Sequence, residues 1–227
     1  MSIGQWVRAF FQRNAPTALA AAPEPAALLP PAVSADGPQL AAHYGDFTAF
    51  VYRPDFDKFL RTQVLSFREP ANAHLGFLDE DHWPEIHPFN FPGPFYTGPS
   101  DTCGTGVCEA PANVMNDADC CEFVFRQPTT YEELLAVLNA AAVEVFDSYS
   151  SNGHERWTYA ACRAWWANRD ALLRHLAEAG VAAMNNGQEQ RYLHYLRGEA
   201  ETDLRRYCYF LLNGVYPTNP QVQLPEL

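Results

Sequence analysis

The chain reads as a helix-dominated α+β fold: three C-terminal antiparallel helices packed against a few short strands and a long irregular segment rich in proline and aromatic residues. Three observations carry that reading. Apolar side chains recur at helical spacing from position 130 to position 212. Two short stretches, at 47–52 and 122–126, have the aromatic and β-branched character of strands. Between them, from Ala71 to Glu122, neither a helical nor an alternating period persists.

Taken in order, Ile3, Trp6, Val7, Phe10 and Phe11 follow the i, i+3, i+4, i+7, i+8 pattern, with Gln5, Arg8 and Gln12 opposite. That spacing predicts a short amphipathic helix over 2–12. The stretch from Ala15 to Pro38 holds nine Ala and six Pro, so it reads as a tether with polyproline character rather than packed structure. Three uses compete for a helix so tethered: docking on its own domain, lodging in a partner's groove, or lying on a membrane surface. Only Arg8 and Arg13 are positive there, which weakens the third. The segment also lacks acids, as a transit peptide does.

The expected organisation is therefore helix 1–14, linker 15–39, one globular domain 40–217 and a tail 218–227. Pro54 and Asp55 should open a helix whose apolar face carries Phe56, Phe59 and Leu60 and which ends before Pro70. Thr130 with Glu133 has the form of a capping box, followed by a stripe running from Leu134 through Phe146 to Tyr149. Thr158 should cap a second helix, stopped by Gly180. A third helical segment spans 189–212, with an irregularity expected at Gly198. Trp165 and Trp166 would point about 100° apart, one into the core and one nearer the surface.

Charge is distributed unevenly. The 227 residues carry a net −12, yet no Lys or Arg occurs between Arg68 and Arg126. That span holds ten carboxylates (Glu69, Asp79, Glu80, Asp81, Glu85, Asp101, Glu109, Asp117, Asp119 and Glu122), seven prolines and four of the six cysteines. Like charges add their fields, so this region should project a negative potential and attract basic groups. Nucleic acid binding needs Lys/Arg clusters that the chain lacks. No run of apolar residues is long enough to predict a membrane span. Six cysteines without a compact hydrophobic leader fit a reducing, cytoplasmic setting.

The same span holds the residues that could carry chemistry. Cys103 and Cys108 form C-x4-C, with Cys120 and Cys121 following, but an adjacent Cys pair diverges and seldom supplies two zinc ligands. These four are the alternative metal set; the reading preferred here has no metal and no cofactor. The stretch from Asn116 to Glu122 lacks the central Gly of a calcium loop. Cys103 in Asp101-Thr102-Cys103-Gly104-Thr105-Gly106 is the alternative nucleophile, with His87 the nearest base. Ten nearby carboxylates would raise its thiol pKa. Asp79-Glu80-Asp81-His82 reads as an exposed acidic loop with a solvated His82.

The string His87-Pro88-Phe89-Asn90-Phe91-Pro92-Gly93-Pro94-Phe95-Tyr96 is stiffened by its prolines. Its four rings either anchor the loop to the helical half or stand out as hot spots. The functional expectation is a module that captures a basic protein, as an immunity or inhibitor protein covers a cationic toxin enzyme. Its contact residues would be Asp79, Glu80, Asp81, Glu85, Phe89, Phe91, Phe95, Tyr96 and Asp101. The alternative is a metal- or cysteine-dependent enzyme with its site in the same span.

Overall fold

The computed structural model describes residues 37–65, 78, 80–98, 104–144 and 146–227. The expected helix over 2–12 lies outside them, as do Asp79, Asp101 and Cys103. The architecture is helix-dominated α+β: helices flank two small antiparallel sheets. Strand β1 (Tyr96–Thr97) pairs with β4 (Tyr149–Ser150), and β2 (Val114–Asn116) pairs with β3 (Glu122–Val124), with Val114 opposite Val124 and Asn116 opposite Glu122.

The β2–β3 hairpin is the partition of the molecule. Strand side chains alternate faces, and here both faces are dry. Met115, Phe123 and Phe125 enter one core with Trp157, Trp165, Leu176, Tyr192 and Tyr207 from the C-terminal helices. Val114 and Val124 enter a second core with Phe50, Val51, Phe56 and Leu60 and with Leu134, Val137 and Leu138. The expected strand at Glu122–Arg126 is thus present as β3.

Positions 47–52 are helical instead: Phe47–Val51 forms a short helix. Its strand-like composition is overridden by its flanks. Gly45, at φ 75°, ends the preceding helix Gly37–Tyr44, and the Asp46 carboxylate accepts the Ala49 amide at 2.8 Å as an N-cap. Helical spacing then stacks Phe47 and Phe50 on one side, with ring centroids 5.0 and 5.1 Å from Tyr131. The helix expected after Pro54 is Phe56–Phe59, running into a π turn at Leu60–Val64.

Thr130 caps the helix Tyr131–Val143 by accepting the Glu133 amide at 3.2 Å. Glu133 completes the box one residue early, accepting from the Thr129 amide rather than from that of Thr130. The helix also stops short of Tyr149. Glu144 turns extended, and its carboxylate accepts the Phe146 and Ser148 amides, freeing Tyr149 for β4. Phe146, expected on a buried stripe, is 64% exposed.

The helices after Thr158 are split. Tyr159–Ala167 gives way to Arg169–Leu176 at Asn168, whose side-chain amide donates back to the Ala164 carbonyl at 2.8 Å. Glu189–Arg197 and Ala200–Asn213 part at Gly198, where the irregularity was expected. Gly180 does not stop a helix; it lies inside Ala179–Met184. Trp165 and Trp166 are both buried. The last residues are held by Arg205, which donates to the carbonyls of Leu224 and Pro225, and by Tyr159, which donates to that of Glu226. Among the described residues, no helix is long and apolar enough to cross a membrane.

Candidate functional site

The aperiodic span is held in shape by two buried amides. Asn90 donates through Nδ2 to the carbonyls of His87 (2.9 Å) and Thr97 (2.8 Å). Its Oδ1 accepts from the amides of Thr97 (3.2 Å) and Val124 (2.8 Å) and from the Thr97 hydroxyl (3.2 Å). Gln127 Nε2 donates to the carbonyls of Phe91 and Phe95, both at 2.8 Å, while its Oε1 accepts the Phe95 amide at 3.1 Å. Pro88, Pro92 and Pro94 bring no N–H of their own. These two amides, with bonds from Phe91 to the Val124 carbonyl and from Trp165 and Tyr192 to the carbonyls of Pro88 and Phe89, meet backbone demand that a sheet would otherwise meet. Gly93 permits the close approach of Gln127, and Gly153 permits that of the Gly93 carbonyl.

With the backbone satisfied, the rings turn inward. Phe89 and Phe91 pack with Phe123, His175, Trp165 and Tyr195, and Phe95 meets Phe56. Phe89, Phe91, Phe95 and Tyr96 are all buried. The expectation that they contribute exposed hot spots is therefore corrected: they anchor the loop, each contributing about 2 kcal/mol of burial. Their spacing could not decide this, because both uses call for rings on a proline-stiffened loop.

The acids divide into two groups. Asp81 is paired with Arg156 and accepts the Tyr96 hydroxyl at 2.9 Å and the Trp83 amide at 3.2 Å. Partial burial opposes its charge. The bonds from Tyr96 and the Trp83 amide, with the Arg156 charge, outweigh that and hold its carboxyl below the usual carboxylate range. Asp117 accepts the Asp119 and Cys121 amides, each at 2.9 Å, and His87 Nε2 at 3.1 Å. Burial opposes its charge too, and the bonds from His87 and the backbone again win, keeping it low. Glu122 is fully buried, accepting the Gly106 amide at 2.7 Å and the Tyr149 hydroxyl at 2.8 Å. These three are structural. Glu80, Glu85, Glu109 and Asp119 form the second group: all are exposed and none has an ion pair among the described residues.

Of the alternative site residues, the structure describes His87, Cys108, Cys120 and Cys121, while Cys103 lies outside the described residues. His87 is 5% exposed and stacks on Phe123. Its Nδ1 accepts the Phe89 amide at 3.2 Å, which places the ring proton on Nε2, toward Asp117. Both nitrogens are occupied, so His87 is not an available base. Cys108 is exposed and Cys120 and Cys121 are half-buried. Among the described residues, no group of three or more His, Cys, Asp or Glu side chains is placed to hold a metal. His82 is not simply solvated: it is half-buried, and its Nε2 bonds the Asp147 carbonyl.

Sequence reasoning missed Asn90, Gln127 and Arg156, the groups that shape this surface. Asn90, set among prolines and aromatics, was the one legible clue. No family model, curated protein or solved structure matches this chain.

Proposed function

We propose that this protein is an acidic binding module that engages a basic protein partner through the surface built by residues 80–98 and 104–122. The observation that carries the reading is the state of Glu80, Glu85, Glu109 and Asp119: exposed carboxylates with no ion pair among the described residues, on loops whose backbone is pinned from within. Such a surface loses little conformational entropy on binding, and unpaired charge steers a cationic partner toward it. Covering the cationic substrate cleft of a toxin enzyme is one task that this chemistry suits. The rings lie inside, so affinity rests on charge and backbone shape more than on aromatic anchors.

The test is capture from a lysate of the native host at low salt, with release at high salt and identification of the released protein. A basic protein held by the wild type and lost by the E80Q/E85Q/E109Q/D119N variant supports the reading. A partner retained undiminished by that variant, or one that resists high salt, overturns it.

A further inference from the structure

A cavity of about 470 Å³ opens between the helix Glu189–Arg197 and the end of the β2–β3 hairpin. Arg126, Arg191, His194, Phe125, Tyr195 and Glu199 are among its lining residues. The volume falls within the range of small-molecule sites, about 300–1,000 Å³. Its lining holds two guanidinium groups and one carboxylate, in a chain whose overall charge is −12. This is a local reversal of sign.

The arginines are not consumed by the fold. Arg191 donates Nη1 to the Pro111 carbonyl and lies over the Phe125 ring at 5.7 Å, with the rest of its fork uncommitted in that contact. Arg126 lies 5.9 Å from the centre of the Tyr195 ring, and its Nε is buried without an acceptor among the described residues. Among the described residues no protein acceptor takes a side-chain N–H of Arg126, so its guanidinium fork remains for an oxyanion. The Tyr195 hydroxyl is already committed to Asp203 at 3.0 Å, so Tyr195 offers its ring rather than a polar group.

We propose that this cavity binds a small organic anion, its carboxylate or phosphate taken by Arg126 and Arg191 and its carbon part lying between Phe125 and Tyr195. The guanidinium fork suits both oxyanions, and the flanking rings favour an apolar body on the ligand.

The experiment uses the full chain, ¹⁵N-labelled, titrated in separate arms with benzoate, phenyl phosphate, inorganic phosphate and benzylamine. Binding of benzoate or phenyl phosphate with Kd between about 10 μM and 1 mM is expected, with the Arg126 Nε–Hε resonance moving. Whichever of the two binds more tightly identifies the oxyanion. Arg126→Gln and Arg191→Gln should each weaken binding about tenfold, and Arg126→Lys, which keeps the charge but loses the fork, should also weaken it. No movement of that resonance at about 10 mM of either organic anion would overturn the proposal. So would inorganic phosphate or benzylamine binding as tightly as the organic anions. The resonance reads the wild-type protein, so the result stands even if a variant folds poorly.

Discussion

Arg156 closes on Asp81 across 75 positions of sequence, bringing a cation from the helical half to a span that has none of its own. The pair sits at the rim, with side chains 31% and 38% exposed, yet the Arg156 Nε is buried with no acceptor among the described residues. Removing Asp81 would leave that guanidinium half-desolvated. Asp81→Asn should lower stability by about 1 kcal/mol in urea denaturation, and a double-mutant cycle with Arg156→Met should show coupling. Additive single effects would mean the pair is ornamental.

The pH dependence of this pair follows from sign. Asp81 and Asp117 both have folded pKa values held below the ordinary carboxylate value. Their contribution is complete above the unfolded value of about 3.9 and is lost as pH falls through the lower folded values. Urea midpoints of Asp81→Asn and wild type should therefore converge on acidification below about pH 4 and stay apart at neutrality. A gap that persists unchanged at low pH would contradict the carboxylate's role.

Asn90 makes five hydrogen bonds that tie its loop to Thr97 of β1 and Val124 of β3. Asn90→Ala strips partners from two buried amides and two carbonyls at once, with an expected cost of about 3 kcal/mol or more. Gln127→Leu, which is of similar size but lacks the three bonds to Phe91 and Phe95, should cost about 2 kcal/mol. Losses below about 1 kcal/mol in either case would mean that water or neighbours can replace these amides.

What the sequence revealed and what it hid follow from the range of the forces involved. The caps at Thr130 and Thr158, the break at Gly198 and the alternation of Glu122–Val124 are local, and each was readable within a few positions. Phe47–Val51 misled because its strand-like residues were overruled by the Gly45 and Asp46 caps beside it. The inward turn of Phe89, Phe91, Phe95 and Tyr96 depends on Asn90 and Gln127 bonding across as many as 36 residues. No pattern inside the loop announces bonds of that span. The acids were visible as a charge count, but which were spent on Arg156, on His87 or on the Gly106 amide was not.

Gly153 sits where the loop and the helix Gly153–Arg156 touch. Its amide donates to the Pro94 carbonyl at 2.9 Å, and a Cβ there would collide with the Gly93 carbonyl oxygen. Both contacts are backbone, so neither can swing aside. Gly153→Ala should cost about 3 kcal/mol or more, with loss of near-ultraviolet circular dichroism from the packed rings. Gly187→Ala serves as a control: it has open space around it but a φ of 82°, so its cost should be the smaller strain of about 1 kcal/mol. A cost at Gly153 no larger than that at Gly187 would mean that the loop gives way to the added methyl group.

His154 links the two halves, bonding the Val51 carbonyl through Nε2 at 3.0 Å and the Tyr207 hydroxyl through Nδ1 at 3.2 Å. Burial pushes its pKa down to about 4, only partly opposed by the bond to Val51. The unfolded chain protonates near pH 6.5 while the folded one does not, so the neutral imidazole's advantage is full above about 6.5. It erodes as pH falls from there toward about 4, by at most about 1.4 kcal/mol per pH unit and about 3 kcal/mol across the window. This loss comes at higher pH than that of Asp81 and Asp117, which separates the two effects. Histidine-to-glutamine replacement at 154 keeps a donor and an acceptor without a titrating group. That variant should be less stable at pH 7 but should lose the slope between about 6.5 and 4. A slope that survives the substitution would assign the acid sensitivity to another group.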